Sequence, residues 1–437
     1  MHALKPYPYW WDSFGVRFGS EDFARRPRLA EPTEIPGRVD AAIVGAGYTG
    51  LAAARETARR GGSVVVLERE RVGWGASSRN GGQVLTGLKL DPAALVARFG
   101  KSRARQLFDA SLESIEGLER LIAEEAIDCE YEHTGHVQAA CKPSHFNGFR
   151  VEQALLASVF NHRVELVPAS DQQCEINSTA YCGLMVDERS GALDPARFVE
   201  GLAAAARQAG AVIAEGTRVT HLKREKARWV VTTDRGTIDA GDIVVATNGY
   251  TDEAAAWLRR RLIPIGSYII VTEPLPPADA AALLPKRRMA FDARHFLHFF
   301  RVTRDHRLLF GGRAEFARPT ADTTRRCAEI LRQEMVRIFP ALAPLRVDYA
   351  WSGNVAFTRD QLPHAGRSDG AYYAGGYCGH GIAMATHLGA LVARLLAGEA
   401  IEHPLLGQEF PAIPLYRGRP WFLPLVGAYY RLKDWLE

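Results

Sequence analysis

Three glycines near the start of the chain, Gly45, Gly47 and Gly50, have the spacing G-x-G-x-x-G. In this pattern the first glycine permits a tight turn, the second lets backbone approach a pyrophosphate, and the third lets a helix pack closely on a strand. A helix that begins after the turn offers free N–H groups and the positive end of its dipole to an anion. We therefore expect Gly45, Gly47, Tyr48, Thr49 and Gly50 to hold a phosphate group.

An acidic residue, Glu68, follows Gly50 at the end of the next apolar run. A carboxylate at this position accepts hydrogen bonds from both ribose hydroxyls and argues against a ribose 2′-phosphate. The pattern therefore predicts a dinucleotide other than NADP, with Arg69 as a neighbouring contact.

Two further segments bear on which dinucleotide binds. Residues 72–83, VGWGASSRNGGQ, form a loop with many N–H donors, whereas nicotinamide-only dehydrogenases usually continue here into a helix. Residues 375–389, GGYCGHGIAMATHLG, form a second glycine turn before a helix, which suits the flavin edge that becomes anionic on reduction. A plain turn–helix junction is the alternative, but both segments together favour FAD. The other candidate FAD contacts are Ala76, Ser77, Arg79, Asn80, Gly81, Gly82, Gln83, Val219, Ala246, Thr247, Asn248, Gly249, Gly376, Tyr377, Gly379, His380, Gly381 and Ile382.

The elements around these motifs alternate between strands and helices. The run 39–44, the alanine-rich helix after it and the run 63–68 form a βαβ unit. Asp91-Pro92 and Asp194-Pro195 each have the pattern of a helix start. We predict an α/β fold, with a Rossmann-like FAD-binding domain interleaved with an α+β substrate-binding domain. The FAD-binding domain is assigned to 36–90, 190–255 and 346–400, the substrate domain to 91–189 and 256–345, an N-terminal arm to 1–35, and a C-terminal tail packed on the body to 401–437.

Composition limits the other classes of function. The chain has 437 residues, 47% apolar, with a formal net charge of +4 and scattered Lys and Arg, so no nucleic-acid partner is expected. The six cysteines show no CxxC pair and no zinc-like spacing, so we expect no metal, free thiols and a cytoplasmic location. Neither a secretory signal nor a spanning segment is expected. The apolar run 421–436 could rest on a membrane surface, although Pro424 and Gly427 interrupt it, and packing on the body is preferred.

The motifs together resemble one known family. GAGYTGLAAA, GASSRNGGQ, LDPARF, ATNGY, RLLFGGR and YYAGGYCGHGIAMATHLG are similar to the D-amino-acid-oxidase superfamily, and most similar to its γ-glutamylputrescine oxidase branch, whose relatives include glycine and sarcosine oxidases. The resemblance implies a DAO/glutathione-reductase-type fold and transfer of a hydride from the carbon beside an amine nitrogen to FAD. The imine formed then hydrolyses, and oxygen as the acceptor yields hydrogen peroxide.

Two departures from that family affect the expectations. The cysteine that bonds covalently to flavin in sarcosine-oxidase relatives is missing from 355–358, so FAD is predicted to be non-covalent. A lysine that promotes oxygen reactivity in those relatives is missing from 308–310, which leaves the acceptor open. Cys378, where relatives commonly have serine, is interpreted as a packing residue.

The residues expected to line the substrate pocket follow from the same resemblance. His380 lies beside the presumed flavin edge, or is a neighbour of a helix cap. In the strand 296–302, either His295 and Phe299 or His298 and Arg301 face the pocket, because a slip of one residue exchanges the two sets. The candidate substrate contacts are His380, Tyr268, His298, Arg301, Trp351 and Arg313, the aromatic pair also being interpretable as core and Arg313 as the partner of an internal acid.

The substrate is expected to be a γ-glutamylputrescine-like or N-alkyl amine. An N-alkyl amino acid or aminophosphonate oxidase is the alternative if several arginines converge on an anionic tail. A flavin amine dehydrogenase that uses a quinone, and a flavin-binding protein without turnover, are further alternatives. The sequence leaves the oligomeric state open.

Overall fold

A computed structural model of the protein describes residues 4–13, 33–312 and 319–436, with side chains of the last helix up to residue 429. Arg313, one of the candidate substrate contacts, lies outside the described residues.

The described strands, in chain order, are β1 (Arg38–Val44), β2 (Val64–Leu67), β3 (Gln83–Val84), β4 (His136–Ala139), β5 (Glu165–Val167), β6 (Leu184–Asp187), β7 (Gly191–Ala192), β8 (Val212–Ala214), β9 (Val219–Glu225), β10 (Arg228–Thr233), β11 (Gly236–Val245), β12 (Ile263–Thr272), β13 (Met289–Asp292), β14 (His298–Val302), β15 (Leu308–Gly312), β16 (Val347–Phe357), β17 (His364–Ser368) and β18 (Ala371–Gly375). The described α-helices are α1 (Tyr9–Ser13), α2 (Tyr48–Arg59), α3 (Pro92–Glu124), α4 (Pro143–Leu155), α5 (Pro195–Gln208), α6 (Ala256–Arg259), α7 (Pro277–Leu283), α8 (Ala321–Ile338), α9 (Gly381–Leu396) and α10 (Leu423–Leu436).

One sheet has the order β17-β18-β11-β1-β2-β8, and the strands from β18 to β8 are parallel. Its central strands are apolar on both faces, since β2 is buried along its whole length, as expected for a covered parallel sheet. Helices α2, α5 and α9 pack together on one face, and the β9–β10 hairpin covers the other. This arrangement confirms the predicted Rossmann-like fold.

The second sheet has the order β16-β12-β15-β14-β13-β4-β6-β5 and is mostly antiparallel. Alternate side chains point to opposite faces, as the pleat of a strand requires. Tyr268, Ile270 and Phe300 pack with α8 on one face. Ile269 and Trp351 face the other way, toward the N-terminal arm.

The strand β16 belongs to the second sheet, whereas the predicted domain boundary assigns it to the FAD-binding domain. The sequence places residues from 346 onward in the FAD-binding domain, but β16 pairs with β12 over its whole length. A long antiparallel ladder joins β16 to the substrate-side sheet, and we therefore propose that this boundary lies beyond Phe357. The rest of the proposed division stays a prediction.

The C-terminal tail packs on the body through part of its length. Leu423 is buried, and the Tyr416 hydroxyl donates to the Leu262 carbonyl at 2.9 Å. The helix α10 runs through Gly427 and has Pro424 in its first turn, so these two residues do not interrupt the helix. Within the described part of the chain, no helix is both long and apolar enough to cross a membrane.

Candidate active site

A cavity of about 890 Å³ lies between the two sheets. On one side it is lined by the carboxyl ends of β1 and β2 and by Ala246, which follows β11. The other side is formed by the second sheet, with Ser267, Ile269 and Phe299 on its wall. Ligands of open parallel sheets bind at the carboxyl ends of the strands, so this position fits a nucleotide site.

The glycine turn has the geometry that its sequence predicts. Gly45 has φ +103°, and a Cβ on Gly50 would lie 1.9 Å from the Gly45 carbonyl oxygen. A Cβ on Gly47 would lie 2.9 Å from Ser77 Oγ. Gly47 is the N-cap of α2 and has no side chain of its own to cap the helix, and the turn lines the cavity. A helix N-terminus that opens on a cavity fits the pyrophosphate of FAD.

Glu68 is held at the cavity wall by the backbone. Its Oε2 accepts from the Ala46 N–H at 2.8 Å, and its Oε1 accepts from the Glu70 N–H at 2.9 Å. Burial raises the pKa of Glu68 in spite of these two hydrogen bonds. Each carboxylate oxygen has capacity for a further donor, so the side chain fits a ribose with free hydroxyls.

The loop at 72–83 is tied to the first turn and to the N-terminal arm. The Tyr48 N–H donates to Ser77 Oγ at 3.1 Å, and the Gly82 N–H donates to Asn80 Oδ1 at 2.9 Å. The Arg79 guanidinium lies 4.9 Å from the ring centroid of Trp11. These contacts shape the loop as part of the cavity wall.

The second glycine turn, at 375–381, lies beside the first turn. We call the two turns and the loop at 72–83 the flavin cradle. The Gly376 N–H donates to Asn248 Oδ1 at 2.9 Å, and the Tyr377 and Thr49 hydroxyls are 2.6 Å apart. His380 lines the cavity, and its Nδ1 has no hydrogen-bond partner among the described residues. Burial, with a contribution from the Lys89 charge, lowers the pKa of His380 to about 3, so its imidazole is neutral at pH 7.

Most of the candidate FAD contacts lie on this cavity. The four that do not line it are all glycines in close contact with other parts of the chain: Gly50, Gly82, Gly249 and Gly376. Gly82 shows the reason, since it has φ +73° and a Cβ there would lie 2.2 Å from the Leu193 carbonyl oxygen. We infer that these four glycines shape the cradle by allowing close packing.

The strand β14 divides the second of the two predicted sets, because Phe299 and Arg301 share one face and His298 lies on the other. His295, Leu297 and Phe299 line the cavity. His298 points to the opposite face, where its Nδ1 lies 3.0 Å from Asp292 Oδ2 and its ring stacks on Phe310. The choice of His298 is therefore corrected, because alternation along the strand directs it toward α8 instead of the cavity.

Arg301 is on the same strand face as Phe299, but it does not line the cavity. Its guanidinium donates to the Leu193 carbonyl at 3.0 Å and to the Gly82 carbonyl at 3.3 Å. The side chain is buried and supports the loop at 72–83, which we call the flavin loop.

The two aromatic candidates also lie away from the cavity. Tyr268 is buried against α8, on the face opposite to the lining residues Ser267 and Ile269. The Trp351 indole N–H donates to the Arg79 carbonyl at 2.9 Å, beneath the flavin loop. Both are core aromatics, which was the second interpretation of these residues.

Several cavity residues carry no motif and were missed by the sequence reasoning. They are Thr86, Lys89, His136, Gln138, Glu152, Asp187, Arg294 and Gln361. Lys89 and Glu152 come from separate segments, before α3 and in α4. Only tertiary packing brings these segments to one wall, so no local spacing could have identified them.

A separate cluster joins Glu113, His387 and His403 away from the cavity. The Nε2 atoms of the two histidines are 3.4 Å apart. Burial lowers the pKa of both histidines to about 4, and nearby arginines oppose a further positive charge. We assign the contact as a hydrogen bond between two neutral imidazoles, and we assign no metal to it.

Comparison with known proteins agrees with the geometry of the site. Residues 40–395 match a family described as FAD dependent oxidoreductase (DAO). The chain is 33% identical to the gamma-glutamylputrescine oxidoreductase of Escherichia coli (strain K12), over 90% of this chain and 92% of that protein.

Solved structures show the same fold. The crystal structure of glycine oxidase from Geobacillus kaustophilus superposes with a TM-score of 0.71 at 23% identity, covering 84% of this chain and 97% of that chain. L-proline dehydrogenase from P. horikoshii superposes with a TM-score of 0.68 at 22% identity, covering 85% of this chain and 96% of that chain.

Proposed function

We propose, from the premise that this chain belongs to the DAO family of FAD-dependent oxidoreductases, that it is an amine oxidase. The observation that carries the proposal is the continuity of the cavity, which extends from the nucleotide turn past His380 to a chamber between the sheets. FAD, when bound, supplies the acceptor for the hydride that leaves the carbon beside the amine nitrogen. The relative from Escherichia coli, named for gamma-glutamylputrescine, supports a γ-glutamylputrescine-like or N-alkyl amine as substrate.

The protein residues provide binding, orientation and exclusion of water. Phe299, Leu297 and Ile269 form an apolar wall that would exclude water from the reacting carbon. Neutral His380 offers its Nδ1 for one hydrogen bond to a bound group. The substrate amine would bind against this wall. The Lys89 charge, which lowers the pKa of His380, would also favour the neutral form of the amine.

Oxygen is the proposed acceptor, with hydrogen peroxide as product, and the cytoplasm is the proposed location. The six cysteines are all free thiols, which is typical of a reducing compartment. The FAD is proposed to be non-covalent. Cys378 lines the cavity, but burial raises the pKa of its thiol to about 11, which keeps it protonated and disfavours attack by the thiolate.

A dehydrogenase that passes electrons to a membrane quinone is the second candidate. The exposed apolar side chains Trp421, Leu425 and Tyr429 on or beside α10 favour it, since such a patch can rest on a membrane. An N-alkyl amino acid oxidase has less support, because Arg294, which lines the cavity, is already engaged by Asp292 and Glu334.

Anaerobic bleaching of the flavin by a panel of amines tests the proposal without assuming the acceptor. We expect γ-glutamylputrescine or an N-alkyl amine to bleach the flavin, and admission of oxygen to restore its colour with release of peroxide. Restoration by a quinone or dye but not by oxygen would instead support the dehydrogenase. Fully loaded FAD that no amine bleaches would contradict both. Acid precipitation should release the flavin into the supernatant, and yellow pellets would contradict the non-covalent assignment.

A further inference from the structure

The cavity extends beyond the flavin cradle into a region lined by α3, α4 and β6, which carry no flavin motif. We call this region the distal chamber. Its wall is largely apolar, formed by Leu95, Phe108, Leu156, Val164 and Met185. A carboxylate, that of Glu152 on α4, is placed among these side chains.

Glu152 differs from the other acidic residues of the cavity wall. Its carboxylate has no hydrogen bond or ion pair with any residue that the structure describes. The others all have partners: Glu68 with the backbone of Ala46, Asp91 with that of Ala94, Asp187 with His162, Asp252 with Arg69, and Asp292 with His298. Among these acids, Glu152 is the one whose carboxylate has no described protein partner, so it is available to a ligand.

The surroundings of Glu152 favour a cationic ligand. Burial raises the pKa of Glu152 to about 7, and the negative charge of Asp91, at the start of α3, adds to the increase. A carboxylate that is desolvated and lacks a counter-charge is stabilised when a cation binds beside it.

The charge at the flavin side of the cavity has the opposite sign. His380 and Cys378 lie in the second glycine turn. Burial lowers the pKa of His380 and the positive charge of Lys89 adds to this decrease, whereas the same charge opposes the increase that burial causes in the pKa of Cys378. A positive field there disfavours an ammonium group and favours a neutral amine. These opposite charges would favour a neutral nitrogen near the flavin and a charged nitrogen at the distal chamber.

We propose that Glu152 binds a second ammonium group of the substrate, so that the enzyme prefers amines with a cationic far end, such as diamines and their derivatives. This inference rests on the proposed amine oxidation. The ion pair would orient the substrate, because the end held by Glu152 cannot enter the flavin side while the other amine reacts.

The test compares diamines, starting from putrescine, with the monoamine of equal chain length. The rate of anaerobic flavin bleaching, measured against amine concentration, gives a second-order rate constant of flavin reduction for each amine. It is measured in the wild type and in Glu152→Gln, Glu152→Asp and Glu165→Gln. Glu165 is an exposed acid on β5, so its substitution removes one surface charge as a matched control. We expect the wild type and Glu165→Gln to prefer the diamine equally, and Glu152→Gln to lose roughly 10-fold to 100-fold of that preference, the range for a hydrogen bond to a charged group.

Glu152→Asp should keep part of the preference, which distinguishes loss of charge from loss of packing. The preference of the wild type should also rise from pH 6 to pH 8 as Glu152 ionises, and that of Glu152→Gln should stay flat. An unchanged preference in Glu152→Gln would overturn the inference.

Failure of the proposed function has a different signature. If no amine bleaches the flavin in any variant, amine oxidation is contradicted, and binding alone then decides the role of Glu152. The Kd of each diamine and monoamine, measured from the perturbation of the flavin absorbance, should show the same loss of preference in Glu152→Gln. Equal Kd ratios in the wild type and Glu152→Gln would overturn the inference.

Discussion

At the scale of single residues, Glu68 shows how a backbone positions a binding group. Two N–H donors fix both carboxylate oxygens, at 2.8 Å and 2.9 Å, before any ligand binds. A ribose can therefore be bound without the cost of ordering a flexible side chain. Without a ligand, burial of the charged Glu68 carboxylate is unfavourable, and burial therefore raises its pKa.

Glu68→Gln should weaken FAD binding roughly 10-fold to 100-fold, because the charged acceptor of the ribose hydroxyls is lost. Fluorescence titration of the apoprotein with FAD measures the change. Glu70→Gln, two residues along the chain, is the control and should bind FAD as the wild type does. An unchanged Kd in Glu68→Gln would refute the role of Glu68 in ribose binding.

At the scale of elements, α2 meets β1 through a contact that only glycine permits. A Cβ on Gly50 would lie 1.9 Å from a backbone oxygen of Gly45 and 3.3 Å from Ile43. Backbone cannot rotate away as a side chain can, so the helix itself would have to move.

Gly50→Ala should destabilise the protein by about 3 kcal/mol or more, because it overpacks a rigid contact. Gly148→Ala is the matched control. A Cβ on Gly148, within α4, meets no atom within 4 Å, so this variant should gain about 0.5–1 kcal/mol. Thermal unfolding followed by circular dichroism measures both, and equal melting temperatures of the two variants would contradict the expectation.

The cap of α5 makes stability depend on pH. Asp194 is buried, and its carboxylate accepts from Ser13 Oγ at 2.7 Å and from the Ala196 N–H at 2.9 Å. Burial nevertheless raises the pKa of Asp194 to about 6. The folded protein therefore binds this proton more tightly than the unfolded chain, whose aspartates have a pKa of about 4.

The contribution of Asp194 to stability should be fully present below about pH 4 and should be lost as the pH rises to about 6. Asp194→Asn cannot ionise, so its stability should not show this loss, which amounts to about 3 kcal/mol in the wild type. Urea denaturation from pH 4 to pH 7 gives the two profiles. Parallel profiles would show that Asp194 does not titrate as proposed.

At the scale of the whole molecule, the N-terminal arm joins the second sheet to the flavin loop. The Tyr9 hydroxyl donates to Asp305, in the turn between β14 and β15. The Trp10 indole N–H donates to the Asn80 carbonyl at 2.8 Å, and the Trp11 indole N–H donates to Ser78 Oγ at 2.9 Å. The arm therefore positions a loop that lines the cavity, although its described residues do not line the cavity themselves.

Trp10→Phe should keep the fold and weaken FAD binding several-fold, since the hydrogen bond that restrains the loop is lost. Trp421→Phe is the control, because Trp421 is 63% exposed and lies in the C-terminal tail. FAD titration of both apoproteins compares them. Equal affinities would mean that the arm contributes to folding alone.

The parts that could be predicted from the sequence are those set by local rules. The βαβ unit, the turn at Gly45 and the caps at Asp91 and Asp194 agree with the structure, because glycine spacing, apolar runs and capping side chains act within a few residues. These same local rules place most of the candidate FAD contacts on the cavity. The choice of His298 was wrong because alternation gives two faces and only the packing of α8 selects between them.

The sequence by itself determined that a dinucleotide turn begins the first α/β unit, since backbone geometry at Gly45 to Gly50 depends on neighbouring residues alone. Only the tertiary structure decided which side chains meet beyond the flavin cradle. Lys89 and Glu152 come from segments far apart in the chain, and their environments arise from burial and from charges on other elements. Burial and electrostatic fields are properties of the packed molecule. The distal chamber could therefore be identified only from the tertiary structure.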